Sequence, residues 1–120
     1  MPLTSKISAY DPAWPSQFAQ EQKHLTPIFG SSLLAIDHVG STAVPGLSAK
    51  PEIDILIELA DDADIDRYTP PLVGLGYRRG SDLSQGHHFF KKDVGGVRTH
   101  KLHALVRGHF GWDSYAWLND

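Results

Sequence analysis

The chain predicts an α+β fold, a mixed β-sheet flanked by helices, and three observations carry that expectation. A segment with helical spacing near the amino terminus precedes two short β-branched apolar runs, and three strand-like segments follow a second helical stretch. At 120 residues, with 41% hydrophobic and 21% charged residues, the composition suits a single globular domain with its own core. Five strands are expected, in a spatial order the sequence does not reveal.

Each element has a local reason. Between Asp11 and Phe29, a cap-like Asp11, Pro12 at a first helical position, and Trp14, Phe18 and Leu25 at helical spacing predict an amphipathic helix. Leu33 to Val39 is short, apolar and bounded by Gly30-Ser31-Ser32 and Gly40, which predicts a buried strand. Ile53 to Leu59 is a second strand, β-branched at Ile53, Ile55 and Ile57. Glu52, Asp54, Leu56 and Glu58 fall on its other face by period-two alternation. Asp61 to Leu75 has helical spacing at Ile65, Tyr68, Leu72 and Leu75, but Pro70-Pro71 predicts a break in its middle. Tyr77–Arg79, His87–Lys92 and Val97–Val106 read as strands, the last two forming a hairpin about Gly95-Gly96. An aromatic tail with Phe110, Trp112, Tyr115 and Trp117 closes the chain.

Bulk properties narrow the function. A net charge of −3 gives no electrostatic footprint for nucleic acid, and the basic, aromatic stretch from His87 to Lys92 does not outweigh it. An anionic ligand must therefore be held locally. The absence of cysteine excludes disulfides and thiolate metal sites. The amino terminus lacks the apolar core of a signal peptide, and no segment has membrane-spanning length, so a cytoplasmic protein without membrane partners is expected.

The stretch HVGSTAVPGLSAKPEIDI, from His38 to Ile55, holds most of the chemistry. Gly40 and Gly46 enclose small residues, so Gly40, Ser41 and Thr42 can offer backbone N–H groups and hydroxyls to a phosphate; the plainer reading is a tight connection. Glu52 and Asp54 on one strand face stand about 6 to 7 Å apart, a spacing at which carboxylates share a divalent cation. Magnesium, or manganese in its place, suits such hard oxygen ligands. Asp54 is the stronger candidate, because an unpaired carboxylate between isoleucines is costly to bury; Glu52 can equally be a solvated strand entrance. Lys50 can neutralise a phosphate or simply be a surface lysine. His38 stands at the mouth of the turn, where it can orient the loop or touch a phosphate. In RTHKLH, Arg98 and His100 share one face and His103 takes the other, so they cannot all meet one ligand without a bulge. A clear third carboxylate is missing. His103 is the substitute, as metal ligand or general base.

Together these residues resemble the GrpB family, whose fold is nucleotidyltransferase-like. The resemblance rests on HVGSTAVPGLSAKPEIDI, on Tyr10-Asp11-Pro12-Ala13-Trp14, Gly76-Tyr77, Phe89-Phe90-Lys91-Lys92 and Arg98 to His103, in order along nearly the whole chain. It implies that Gly40-Ser41 and Asp54 match the phosphate-binding and metal-binding motifs of nucleotidyltransferases, giving transfer of a nucleoside monophosphate from a triphosphate to an acceptor. Asp54, Glu52 and His103 would be the catalytic groups. His38, Gly40, Ser41, Thr42, Lys50, Arg98 and His100 would bind substrate. Position 52 is commonly aliphatic in that family, so its Glu is a departure. The family also continues through a further C-terminal helix beyond the point matching Asp120. Without it, the aromatic tail would be left partly uncovered and favour self-association. Related domains fused to dephospho-coenzyme A kinase make a silent nucleotide- or phosphometabolite-binding module the alternative.

Overall fold

The computed structural model describes residues 7–82 and 86–107. Trp112, Tyr115 and Trp117, on which self-association was expected to rest, lie outside the described residues, as do His109 and Phe110. The elements are α1 (Trp14–Phe29), β1 (Leu33–Val39), β2 (Ile53–Leu59), α2 (Ile65–Gly74), β3 (Tyr77–Arg79), β4 (His87–Val94) and β5 (Val97–Val106). Short 3-10 turns at Gly30–Ser32 and Ser41–Ala43 bracket β1. The α+β architecture read from the sequence is the one observed.

The five strands form one mixed sheet in the order β1-β2-β5-β4-β3. Only the pairing of β2 with β5 is parallel; the other three are antiparallel. Parallel neighbours need a crossover, and the chain between β2 and β5 supplies it through α2, β3 and β4. Both helices cover one face. There Trp14, Leu25 and Phe29 of α1 and Ile65, Tyr68 and Leu72 of α2 join Ile53, Ile55, Ile57, Leu59, Leu102, Ala104, Phe90 and Tyr77 in one buried cluster. Each large side chain removed from water there stabilises the fold by about 1.5–3 kcal/mol. The alternation in β2 therefore fixes which of its sides carries the isoleucines and which carries Asp54.

Two helical expectations need correction. α1 begins at Trp14, because Asp11 folds a turn ahead of it: the Asp11 carboxylate accepts the Ala13 N–H at 2.9 Å and its carbonyl accepts the Trp14 N–H at 3.0 Å. Pro15, not Pro12, occupies the helix's first turn. α2 runs unbroken through Pro70 and Pro71. Both prolines are exposed, and the carbonyls they leave without donors belong to the exposed residues Asp66 and Arg67, where water can serve them. The opposite stripe of Ile65, Tyr68 and Leu72 packs on the core, and the Asp64 side chain caps the start by accepting the Asp66 N–H at 3.1 Å.

The β4–β5 hairpin closes on Val94 opposite Val97, with Gly95 at φ 61° and Gly96 at φ 79°. Two successive left-handed residues are the signature of the tight hairpin turn whose twist matches the strands, and glycine adopts both without strain. A bulge follows: Lys92 pairs with His100 and Asp93 with Arg98, leaving Thr99 without a partner. Among the described residues no helix is long and apolar enough to cross a membrane.

Candidate functional site

The antiparallel register sets Val39, the last residue of β1, opposite Asp54 in β2, so the chain turns at Gly40 directly above that carboxylate. Gly40 has φ 77° and ψ −169°, a conformation open to glycine and strained for any other residue. A Cβ there would overlap Asp54 Oδ2 and lie 3.1 Å from its Cγ. Glycine is thus required twice, for the bend and for the carboxylate beneath it.

Behind the bend, Thr42 is buried and fully engaged. Its hydroxyl donates to the Glu52 carbonyl at 3.0 Å, and His38 Nε2 lies 3.0 Å from the Thr42 hydroxyl oxygen. Because the hydroxyl's single hydrogen goes to Glu52, His38 Nε2 must carry the hydrogen it shares with Thr42. The His38 ring stacks on Phe18 of α1, with centroids 5.1 Å apart and planes 13° apart. Burial pushes its pKa below the ordinary histidine value, which favours the neutral ring with its hydrogen on Nε2. His38 pairs with Ile55, on the face of β2 opposite Asp54. It braces the loop from the helix side and does not reach the carboxylates' side of the sheet. Ser41 is exposed beside the bend.

Glu52 and Asp54 do meet, as their spacing implies, and a third residue joins them. Lys101 of β5 lies opposite Asp54 in the parallel register, and its Nζ stands 3.3 Å from Glu52 Oε1 and 3.4 Å from Asp54 Oδ1. Glu52 is only 5% exposed. Glu52 Oε2 and Asp54 Oδ1 are buried without a hydrogen-bond donor; Lys101 is close enough to Oδ1 to pair charges, yet off its hydrogen-bonding line. Burial pushes the Asp54 pKa up; Lys101 opposes that shift and the like charge of Glu52 adds to it. One ammonium between two carboxylates leaves the group with a net negative charge and unsatisfied oxygens.

Such oxygens fit a hard cation. A magnesium or manganese ion would find two carboxylate ligands here and would need phosphate or water oxygens to complete its shell. Among the described residues no group of three or more His, Asp or Glu side chains could hold a metal by itself.

The other sequence candidates are dispersed. Lys50 is exposed on the connection before β2. Arg98 is held at the hairpin end by Asp93, Nε to Oδ1 at 2.6 Å. His100 projects to the helix side, 3.8 Å from Glu21 and edge-on to Tyr77. His103 shares Lys101's face but sits opposite Leu56, two residues further along; its Nδ1 is 3.0 Å from His87 Nε2, and Phe89 packs against its ring. Burial, with help from the charges of His87 and Lys101, lowers the His103 pKa to about 3, so it is neutral near pH 7.

Sequence reasoning missed Lys101, since nothing in RTHKLH reveals which residue faces Asp54 until the β2–β5 register is known. It also missed a buried cluster on the helix side. Glu21 of α1 accepts from Tyr77 Oη at 2.6 Å and from Lys92 Nζ at 2.9 Å, joining α1 to β3 and β4. Glu58 proves to be paired, with Arg107 Nε 2.8 Å away.

Comparison with known proteins agrees with this architecture. A family model described as GrpB protein matches residues 4–120. A UPF0157 protein of Halalkalibacterium halodurans is 50% identical over 68 residues, covering 57% of this chain and 35% of its own length. One from Pseudomonas aeruginosa is 44% identical over 99 residues, covering 79% and 41%. A dephospho-CoA kinase of Mycobacterium tuberculosis is 36% identical over 84 residues, 68% of this chain and 21% of the kinase. The crystal structure of the conserved protein GrpB from Enterococcus faecalis superposes with a TM-score of 0.80 at 31% identity, covering 86% of this chain and 62% of that one. The chain thus spans between about a third and two fifths of the UPF0157 relatives' length. With the family match running across nearly every residue and the fold shared, the chain belongs to the GrpB family.

Proposed function

We propose that the chain binds a nucleoside triphosphate between the Gly40–Ser41 bend and the Glu52–Asp54 carboxylates, and transfers its nucleoside monophosphate to an acceptor. One observation carries the reading: the glycine bend abuts Asp54 Oδ2, while the buried Oδ1 of the same carboxylate has only the Lys101 ammonium near it, 3.4 Å away and off the hydrogen-bonding line. A backbone that can approach an anion and a carboxylate that can hold the accompanying cation are thereby side by side.

Magnesium, when bound, would neutralise phosphate charge and fix the phosphate's orientation. Glu52 and Asp54 would hold it. Gly40 and Ser41 would bind phosphate oxygens through backbone N–H and hydroxyl, while Thr42 and His38 keep that loop in place. Lys101 would supply the positive charge nearest the carboxylates. His103, the base expected from the sequence, lies on Lys101's face, but a pKa lowered to about 3 makes it a weak proton acceptor near pH 7, so positioning and charge carry the reading instead. Positioning and charge neutralisation would supply most of the rate.

The test is calorimetry with a panel of nucleoside triphosphates, with and without magnesium, on wild type and Asp54→Asn, followed by pyrophosphate release with candidate acceptors. Metal-dependent binding lost in the variant, with pyrophosphate released by wild type, is the expected result. Binding unaffected by Asp54→Asn overturns the site. Metal-dependent binding without turnover on any acceptor would instead identify a silent nucleotide-binding module.

A further inference from the structure

Strand register places three cations in a row beside the carboxylates, and the described residues give one of them, Lys91, no counter-charge. Phe90, Leu102 and Tyr77 belong to the helix-side core, so their neighbours Lys91, Lys101 and Arg78 project to the other face, where Asp54 lies. Asp54 pairs with Lys101, Lys101 with Lys91, and Lys91 with Arg78. Two of these cations are engaged. Lys101 serves Glu52 and Asp54, and Arg78 Nη2 lies 2.7 Å from Oδ2 of Asp93, a carboxylate that also pairs with Arg98. Lys91, partly buried between them, has no ion pair or hydrogen bond among the described residues. Like charges directly opposite one another across strands destabilise a sheet. In a chain of net charge −3 the row is a local feature, not a general surplus of positive charge.

We propose that Lys91, with Lys101 beside it, forms an anion subsite that binds a phosphate group distinct from the one held at the Gly40 bend. The inference rests on the nucleotide-site reading and shares Lys101 with it, but Lys91 belongs to the subsite alone. Lys91 is two strand spacings from Asp54, about 10 Å, and three from β1, about 14 Å, so it faces a different part of a bound ligand from the bend. The ligand therefore brings a second anionic group. That group is either the outer phosphates of the same nucleotide or the phosphate of a separate partner molecule, and lysine ammonium groups on a flexible stem suit both.

The experiment compares wild type with Lys91→Gln by calorimetry against inorganic pyrophosphate, inorganic phosphate, ATP and AMP. The subsite predicts pyrophosphate binding weakened about tenfold in the variant, the loss of one charge-assisted contact. Its melting temperature should be unchanged or raised, since a repulsive pair is removed; a purely structural lysine would lower it. Weaker ATP with unchanged AMP assigns the subsite to the nucleotide's outer phosphates. Weaker phosphate and pyrophosphate with unchanged ATP assigns it to a separate phosphorylated ligand. The proposal is overturned by unchanged binding of all four, by equal loss of AMP and ATP, or by no saturable binding of phosphate and pyrophosphate to wild type. Asp54→Asn, run in parallel, separates the two readings: loss of magnesium-dependent binding there with no effect of Lys91→Gln leaves the nucleotide site standing and removes only the subsite.

Discussion

Replacing Gly40 with alanine should destabilise the fold through two separable effects, and Asp54 should control only one of them. The backbone effect comes from φ 77° and ψ −169°, a region that penalises a side chain by about 1–3 kcal/mol. The packing effect comes from the new methyl group meeting the Asp54 carboxylate, whose Cγ would be 3.1 Å away, and overpacking of this kind costs about 1–3 kcal/mol. Together they predict a loss of about 2–6 kcal/mol, which at about 4–8 °C per kcal/mol lowers the melting temperature by roughly 8 °C or more. In an Asp54→Ala background the carboxylate is gone, and the Cβ that remains at position 54, 3.2 Å from the added methyl, needs only a small shift. The same Gly40→Ala change should then cost only the backbone part. Urea denaturation of the four proteins in this double-mutant cycle should give a coupling of about 1–3 kcal/mol. Additivity within about 0.5 kcal/mol, or a Gly40→Ala variant as stable as wild type, would refute contact between the bend and the carboxylate.

Two further predictions concern stability. Glu21→Ala removes the acceptor of both Tyr77 and Lys92 and should destabilise by about 3–5 kcal/mol in urea denaturation at pH 7; a loss under about 1 kcal/mol would contradict the buried network. Burial favours the protonated Glu21 carboxyl, but the Tyr77 and Lys92 hydrogen bonds prevail and hold it below its ordinary range, so its contribution is present above pH 4.5 and fades as pH falls below that value. His103 gives a second acid-sensitive contribution. Its ordinary value is 6.5 and burial lowers it to about 3, so the unfolded chain takes up its proton first and stability should fall as pH drops from 6.5 toward 3. Asp54 runs the other way: its raised pKa means the folded state holds the proton longer, so stability should decline as pH climbs past 3.8. Denaturation series between pH 4.5 and 7 should show His103→Asn flattening the rise with pH and Asp54→Asn steepening it. Identical slopes in all three proteins would reject these assignments.

The strands at 33–39 and 53–59 were legible because each is a short apolar run bounded by glycine or polar punctuation, and that at 97–106 because Gly95-Gly96 marks a hairpin turn at its start. Asp54 stood out because a carboxylate between isoleucines is physically expensive. The sheet order was not legible: local sequence does not encode which strand lies beside β2, and Lys101 became part of the site only through the parallel β2–β5 register. α2 continues through Pro70-Pro71 because both rings fall on the exposed stripe, a tertiary fact that helix propensity ignores. Nothing in the local sequence marks Glu21. Its partners are 56 and 71 residues away, beyond any local pattern.

The most direct test of the proposed site is a crystal of the protein soaked with a nucleoside triphosphate and manganese, with the ion located by anomalous scattering. A peak against Glu52 and Asp54 is predicted, with phosphate density at the Gly40 bend and Lys101 drawn away from the carboxylates toward phosphate oxygens. Ordered nucleotide elsewhere on the molecule, or phosphate at the bend with no ion beside Asp54 and Lys101 unmoved, would contradict it.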